Sequence, residues 1–357
     1  MVEGGARFGR EGRLKPPFRA DHVGSLLRPA YVGTDPQRAI REVVAKQEAI
    51  GLESVTDGEF SRQWWHLDFL SQLEGVTLRE NPGPNRGPKF GGTEEQPPIP
   101  TVTGKLRYAK PIMLEDFRFL KSVTRKTPKF TIPSPSMLHL RAGRAGVAYD
   151  DMSEFWTDAA AAYKAAIAAF ASVGCTYLQL DDVAFAYLCD PKIREASRRN
   201  GDDPATLPRT YANTITRALE GRPAGMTIAM HTCRGNFKSA WVAEGGYEPV
   251  AEAMFSAGVD AFFMEFDTER AGGFEPLRYV PKGKKVVLGL VSSKTPQLET
   301  KDHLKRRIDE AAKYVALEDL CLSPQCGFSS THHGNKLTPA EQWQKLERVV
   351  EVAREVW

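Results

Sequence analysis

The 357-residue chain lacks any apolar run near the roughly 20 residues a membrane-spanning helix needs, so no segment reads as a span. Its first fifteen residues, MVEGGARFGREGRLK, hold glycine and arginine without an apolar core. That excludes a secretory signal and leaves residues 1–16 as an expected flexible lead-in to a single domain over 17–357. Cysteine is sparse and odd in number: five thiols exclude a disulfide framework and point to a reducing, cytoplasmic setting. Charge is not lopsided either. With 48 Lys and Arg against 45 Asp and Glu, the formal net charge is +3 and no basic block exists, which excludes a nucleic-acid partner.

What is present is a recurring unit: a short apolar or β-branched run with polar residues at its end, followed by a helical stretch. The clearest helix covers 151–174, alanine-rich, with Asp151 and Ser153 as cap candidates and Gly174 as its stop. The strand TYLQLDD follows at once. At the C-terminus, Thr338-Pro339 opens an amphipathic helix in the cap and first-turn positions. Strand candidates fall at 18–25, 53–60, 129–135, 176–182, 226–233, 261–267, 285–293 and 320–327. Eight βα units predict a TIM (β/α)8 barrel with its site at the C-terminal strand ends. The 71–128 interval is too long for one crossover. Its Gly and Pro load, a hairpin pattern in TVTGKLRY and a helix near 114–124 predict an insertion at the barrel mouth between the second and third strands. Trp64, Trp65 and Phe90 are its expected neighbours there.

Those strand ends carry His22 and Ser25, Asp57 and Glu59, Ser134, Asp181 and Asp182, His231 and Cys233, Glu265, Ser292 to Lys294, and Cys326. Loops are polar in any protein, which accounts for the serines. It accounts poorly for carboxylates, a histidine and cysteines converging on one rim. His231 and Cys233 lie two apart on a strand and so share a face; alone, the pair is better read as a buried histidine beside an inert thiol. With Glu265 and Cys326 it makes a four-coordinate zinc shell, whose spread over three strands argues against a purely structural metal. Cys321, inside LCLSP, reads as core, and Cys175 and Cys189 as packing residues. Zinc converts a thiol, mostly protonated at neutral pH, into a thiolate, and a labile carboxylate position would admit a substrate thiol for alkylation.

From FRADHVGSLLRP to the C-terminus the sequence resembles the cobalamin-independent methionine synthases. The motifs that carry the resemblance are HTC, the DAFFMEF strand ending on glutamate, SPQCGF, CRGNF and EGGY. The resemblance is greatest to short, single-barrel bacterial forms. It implies a zinc-dependent methyltransferase acting on homocysteine or a close analogue. Val23, Gly24 and Ser25 match the stretch that holds the substrate carboxylate, and Glu59 and Asp181 the acids that receive its ammonium. An amino-acid zwitterion needs such a division of donors and carboxylates.

Two positions depart from the family. Its acidic donor contact is Tyr187 here, and its proton-donating histidine falls at Lys294. The methyl donor is therefore open between a folate and a corrinoid protein, and His22 and Lys294 are candidate proton donors on that side. Three alternatives stand beside it: an epoxide–thiol transferase type of zinc enzyme, which keeps the class and changes the substrates, a barrel decarboxylase of the uroporphyrinogen type needing no zinc, and a non-catalytic barrel with structural zinc.

Overall fold

The computed structural model describes residues 15–80 and 97–357. Among the described residues the strands are β1 Ser54–Val55, β2 Glu74–Arg79, β3 Ile99–Arg107, β4 Thr127–Pro133, β5 Tyr177–Asp182, β6 Thr227–Thr232, β7 Ala261–Glu265, β8 Lys285–Val291 and β9 Leu320–Pro324. The α-helices that accompany them are α1 Pro36–Ala49, α2 Leu67–Leu70, α3 Leu114–Ser122, α4 Met152–Ser172, α5 Ala184–Tyr187, α6 Pro191–Arg199, α7 Leu207–Ala218, α8 Ala251–Phe255, α9 Lys301–Ala311 and α10 Pro339–Val356.

Seven strands form one parallel sheet in the order β1-β4-β5-β6-β7-β8-β9, with the chain returning through helices on its outer face. The eighth stave is the extended segment 19–26. It touches β9 through an Ala20–Leu322 bridge, with Asp21 N–H donating to the Leu322 carbonyl at 3.0 Å. On its other edge Leu26 N–H reaches the Gly58 carbonyl, and the Thr56 hydroxyl reaches that of Gly24. The curled sheet is that of a TIM barrel.

Two expected strands pair less than the apolar pattern suggests, because side chains take their backbone partners. Asp21 Oδ1 accepts from His22 N–H at 2.8 Å, so 18–25 forms a single bridge. Within 53–60 only Ser54–Val55 pairs, since the Gln47 amide bonds both the N–H and the C=O of Thr56. The chain then turns through positive φ at Gly58 and Glu59.

The helices follow their local signals. Asp151 caps α4 through Ser153 N–H, Gly174 follows its end at φ 85°, and Thr338 with Glu341 forms a capping box on α10. In the long interval, TVTGKLRY is one arm of a hairpin: β3 pairs antiparallel with β2. The ribbon packs on α4, and Ala148 N–H joins the Val102 carbonyl. The expected helix is α3. Residues 1–14 and the mouth contact proposed for Phe90 lie outside the described residues.

The core is divided in two. A large cluster fills the space between sheet and helices, whereas Val23, Tyr177, Ala229, Ala261, Phe263, Val287 and Cys321 form a separate one inside the barrel. Cys321 is thus core, and Cys175 and Cys189 are buried packing thiols.

Candidate active site

Strand alternation decides which residues reach the barrel's upper opening. Residues 21, 23 and 25 face inward; Asp181 on β5 and His231 on β6 are register partners, so carboxylate and imidazole stand side by side. A cavity opens above them, lined by Val23, Ser25, Glu59, Asp181, His231, Cys233 and Cys326 among others.

His231, Cys233 and Cys326 form a buried cluster whose ligand atoms all lie within 4.8 Å of one another. The sulfurs of Cys233 and Cys326 are 3.3 Å apart, far longer than a disulfide. Cys326 is held well below the ordinary thiol range by the hydrogen bond from Cys233 and by the His231 imidazole, and the same bond, with burial, raises Cys233. Burial opposes charge on His231, but the Cys326 thiol, Asp181 and Glu265 outweigh it and raise the imidazole. The His231 ring has no polar partner besides the Cys326 thiol. A buried imidazole whose polar partner is one of two adjacent thiols is a donor set suited to zinc.

Glu265 departs from the expected four-ligand set. It lies outside the 4.8 Å cluster, with its Oε2 3.6 Å from Arg234 and 3.5 Å from Arg270. Arg234 is fully buried and needs a counter-charge, which Glu265 supplies.

Beside the cluster Glu59 and Asp181 form the acidic wall. Glu59 sits at φ 62°, takes the Thr131 hydroxyl on Oε1 and leaves Oε2 unpartnered. Burial pushes its carboxyl up to about 7, a shift that Asp181 reinforces and Arg62 opposes. Asp181 accepts from Gln179 at 2.6 Å, and burial pushes it up to about 6. Two buried carboxyls that resist ionisation are prepared to receive a cation.

Gly24 meets this wall from below. A Cβ there would lie 2.9 Å from Thr131 Cγ2 and 3.4 Å from Glu59 Oε1, and its φ is 147°. Ser25 Oγ accepts from Ser329 N–H, and Val23 accepts from Gln179 on its carbonyl.

The two candidate proton donors lie elsewhere. Alternation that turns Val23 inward turns His22 outward, beside Gln47 of α1 and Ser54; burial and the Lys129 ammonium push it down to about 4. Lys294 donates to the Gly235 carbonyl at 2.8 Å and so holds the 233–237 loop from behind. Neither lines the cavity. Trp64, Trp65 and, from the long interval, Pro97 do, as does Tyr187.

Sequence reading missed Arg62 and Gln179, which brace the acidic wall, and Arg141 and His66, which line the same cavity. Arg62, three residues after Glu59, offered only a spacing; the others carried no signal.

A barrel with an imidazole–dithiol cluster and paired carboxylates at its strand ends has the composition of a zinc-thiolate transferase site. The family model described as "Cobalamin-independent synthase, Catalytic domain" matches residues 30–355, and the chain belongs to that family. Membership supports a methyltransferase enzyme.

The chain is 46% identical to the uncharacterized protein YxjH of Bacillus subtilis (strain 168), covering 97% of each. A crystal structure from Listeria monocytogenes, titled a "Putative Vitamin-B12 Independent Methionine Synthase", superposes with a TM-score of 0.76 at 39% identity, over 97% of this chain and 99% of that one. The 5-methyltetrahydropteroyltriglutamate–homocysteine methyltransferase of Shewanella oneidensis is 24% identical over 90% of this chain, which spans 38% of that protein.

Proposed function

We propose that the protein transfers a methyl group to the thiol of homocysteine at a zinc site held by His231, Cys233 and Cys326. The observation that carries this reading is the buried cluster itself, an imidazole and two thiols whose ligand atoms all lie within 4.8 Å of one another. Zinc bound there would supply Lewis-acid stabilisation of a substrate thiolate at neutral pH. Glu265, beside the cluster and neutralised by two arginines, is the candidate fourth group.

The chain's own residues do the rest. Glu59 and Asp181 receive the substrate ammonium, which relieves the cost of ionising two buried acids. Ser25 and the backbone of 23–25 face the same cavity and suit the substrate carboxylate. The amino acid is then held at both ends with its thiol directed at the cluster, a positioning effect that raises the effective concentration of the nucleophile. Val23, Trp65 and Phe237 make part of the wall apolar and limit water at the transfer.

The donor we propose is methyltetrahydrofolate, which the name of the Shewanella oneidensis relative supports; nothing in the relatives supports a corrinoid protein. We also propose that the 71–128 interval borders the mouth, an arrangement supported by Pro97 in the cavity wall.

The test is methionine formation from homocysteine and 5-methyltetrahydrofolate by zinc-loaded protein. Activity that vanishes with zinc chelation and returns on adding zinc supports the reading. Undiminished turnover by the metal-free protein sinks it.

A further inference from the structure

The cavity wall carries two groups of opposite character. Glu59 and Asp181 are charge neighbours of each other; Arg141, His66 and Tyr187 neighbour one another, Trp65 packs on His66, and Arg141 is not among the charges that act on either acid. Methyl acceptance uses only the first group. Arg141 has its Nε sealed from solvent with no protein partner, and it forms no ion pair among the described residues. Its guanidinium hydrogen-bonds the Tyr187 hydroxyl, which burial keeps protonated, so it has a polar partner there but no negative charge faces it. His66 is 1% exposed and neither of its ring nitrogens has a partner. Burial, aided by Arg141, keeps this imidazole neutral.

Other arginines of the site do face carboxylates: Arg234 and Arg270 approach Glu265. The Arg141 loop is also firmly held. Two residues earlier, His139 bonds the Tyr211 hydroxyl at 2.9 Å and Asp202 at 3.2 Å. A half-buried cation without a counter-charge, next to a neutral ring with unused nitrogens, is a costly arrangement in a free protein. It becomes favourable when an anion enters.

We propose that the Arg141–His66 group binds an oxoanion of the second substrate, a carboxylate carried by the methyl donor; this rests on the two-substrate reading above. The guanidinium offers parallel N–H donors that match a carboxylate, and neutral His66 adds one more. Trp65, packed on His66 at 4.5 Å between ring centroids with the planes tilted by 35°, gives an aromatic wall for a ring in the same ligand. Opposite charges on the two groups then assign each substrate its place, because an exchanged pair would set like charges together.

The test uses zinc-loaded wild type, Arg141→Met and Arg141→Lys. Three probes are titrated by tryptophan fluorescence and thermal melting: 5-methyltetrahydrofolate, a carboxylate-free 5-methyltetrahydropterin, and malonate. Both carboxylates should bind wild type about 10- to 100-fold more tightly than Arg141→Met, with partial recovery in Arg141→Lys. The carboxylate-free pterin should not distinguish the three proteins. Ligand-free Arg141→Met should melt at or above wild type, whereas an arginine with a structural role would lower the melting temperature when removed. If malonate distinguishes the variants and the folate binds none of them, the folate-donor reading fails and the anion subsite stands. Equal responses of wild type and Arg141→Met to both carboxylates, or no response to either, would overturn the proposal.

Discussion

The barrel interior contains two polar centres, and they are built on opposite plans. Near the N-terminal strand ends, Asp21 accepts from His22 N–H, the Ser54 hydroxyl and Lys129 on one oxygen, and from the Tyr177 hydroxyl and Phe18 N–H on the other. Lys129 also donates to the His22 carbonyl and lies 4.0 Å from the Phe263 ring centroid. Every charge there is paired and every oxygen used. At the C-terminal strand ends, Glu59 Oε2 and Gln179 Oε1 have no hydrogen-bond partner, Glu265 Oε2 meets its arginines only at 3.5 and 3.6 Å, and the His231 ring has no partner besides the Cys326 thiol. The apolar lumen cluster separates the two centres. A satisfied buried network stabilises the native state, whereas an unsatisfied one lowers stability and makes binding favourable. One end of the barrel holds the fold together and the other is left open for ligands.

Mutation should break this contrast most visibly at the lower end. Lys129→Met strands the Asp21 carboxylate inside the barrel and should destabilise the protein by about 3–5 kcal/mol in urea melts. A loss below about 1 kcal/mol would mean that the lower pair is not structural. At the upper end, Glu59→Gln should weaken methionine binding by about 10- to 100-fold in calorimetry, the worth of a charge-assisted hydrogen bond, while sparing zinc content. Unchanged affinity would remove Glu59 from the ammonium site.

The acids also set a pH dependence whose sign differs for binding and for stability. An ammonium is attracted only by ionised acids, so methionine affinity should climb by up to about tenfold per unit from pH 6 to 7 and level off above Glu59's value of about 7. Methionine has no thiol to titrate, and Glu59→Gln should flatten the curve. A flat wild-type curve would contradict the coupling.

For stability the argument reverses. Glu59 is raised in the folded protein, so its ionisation begins to cost stability above the usual carboxylate value near 4.5 and costs it fully above about 7. Ligand-free, metal-free Glu59→Gln should therefore melt higher than wild type at pH 8 and about equally at pH 4. The opposite order would place Glu59 among the stabilising residues.

The upper end was more legible in the sequence than the lower one. His231, Cys233, Asp181 and Cys326 end recognisable strands, and alternation with the βα repeat brings them together at one rim. Lys129 and Asp21 gave no comparable sign, because a lysine inside KFTIPSP reads as a polar interruption until Tyr177 and Ser54 arrive from other strands. The same limit applies to Glu265, whose partners Arg234 and Arg270 decide where its carboxylate turns. His22 was misplaced by taking proximity in sequence for proximity in space; a one-residue step along the stave moves it from the lumen to the α1 side. The first two staves were overlong in expectation because Asp21 and Gln47 side chains replace backbone pairing.

The central claim is that the open upper end is a zinc site of three identified ligands. Zinc content per chain, measured after expression with zinc and exhaustive desalting, tests it most directly across wild type, Cys233→Ser, Cys326→Ser and Cys321→Ser. The account predicts a single zinc in wild type and in Cys321→Ser, and a large loss in the other two. Full zinc occupancy in Cys233→Ser or Cys326→Ser would contradict it.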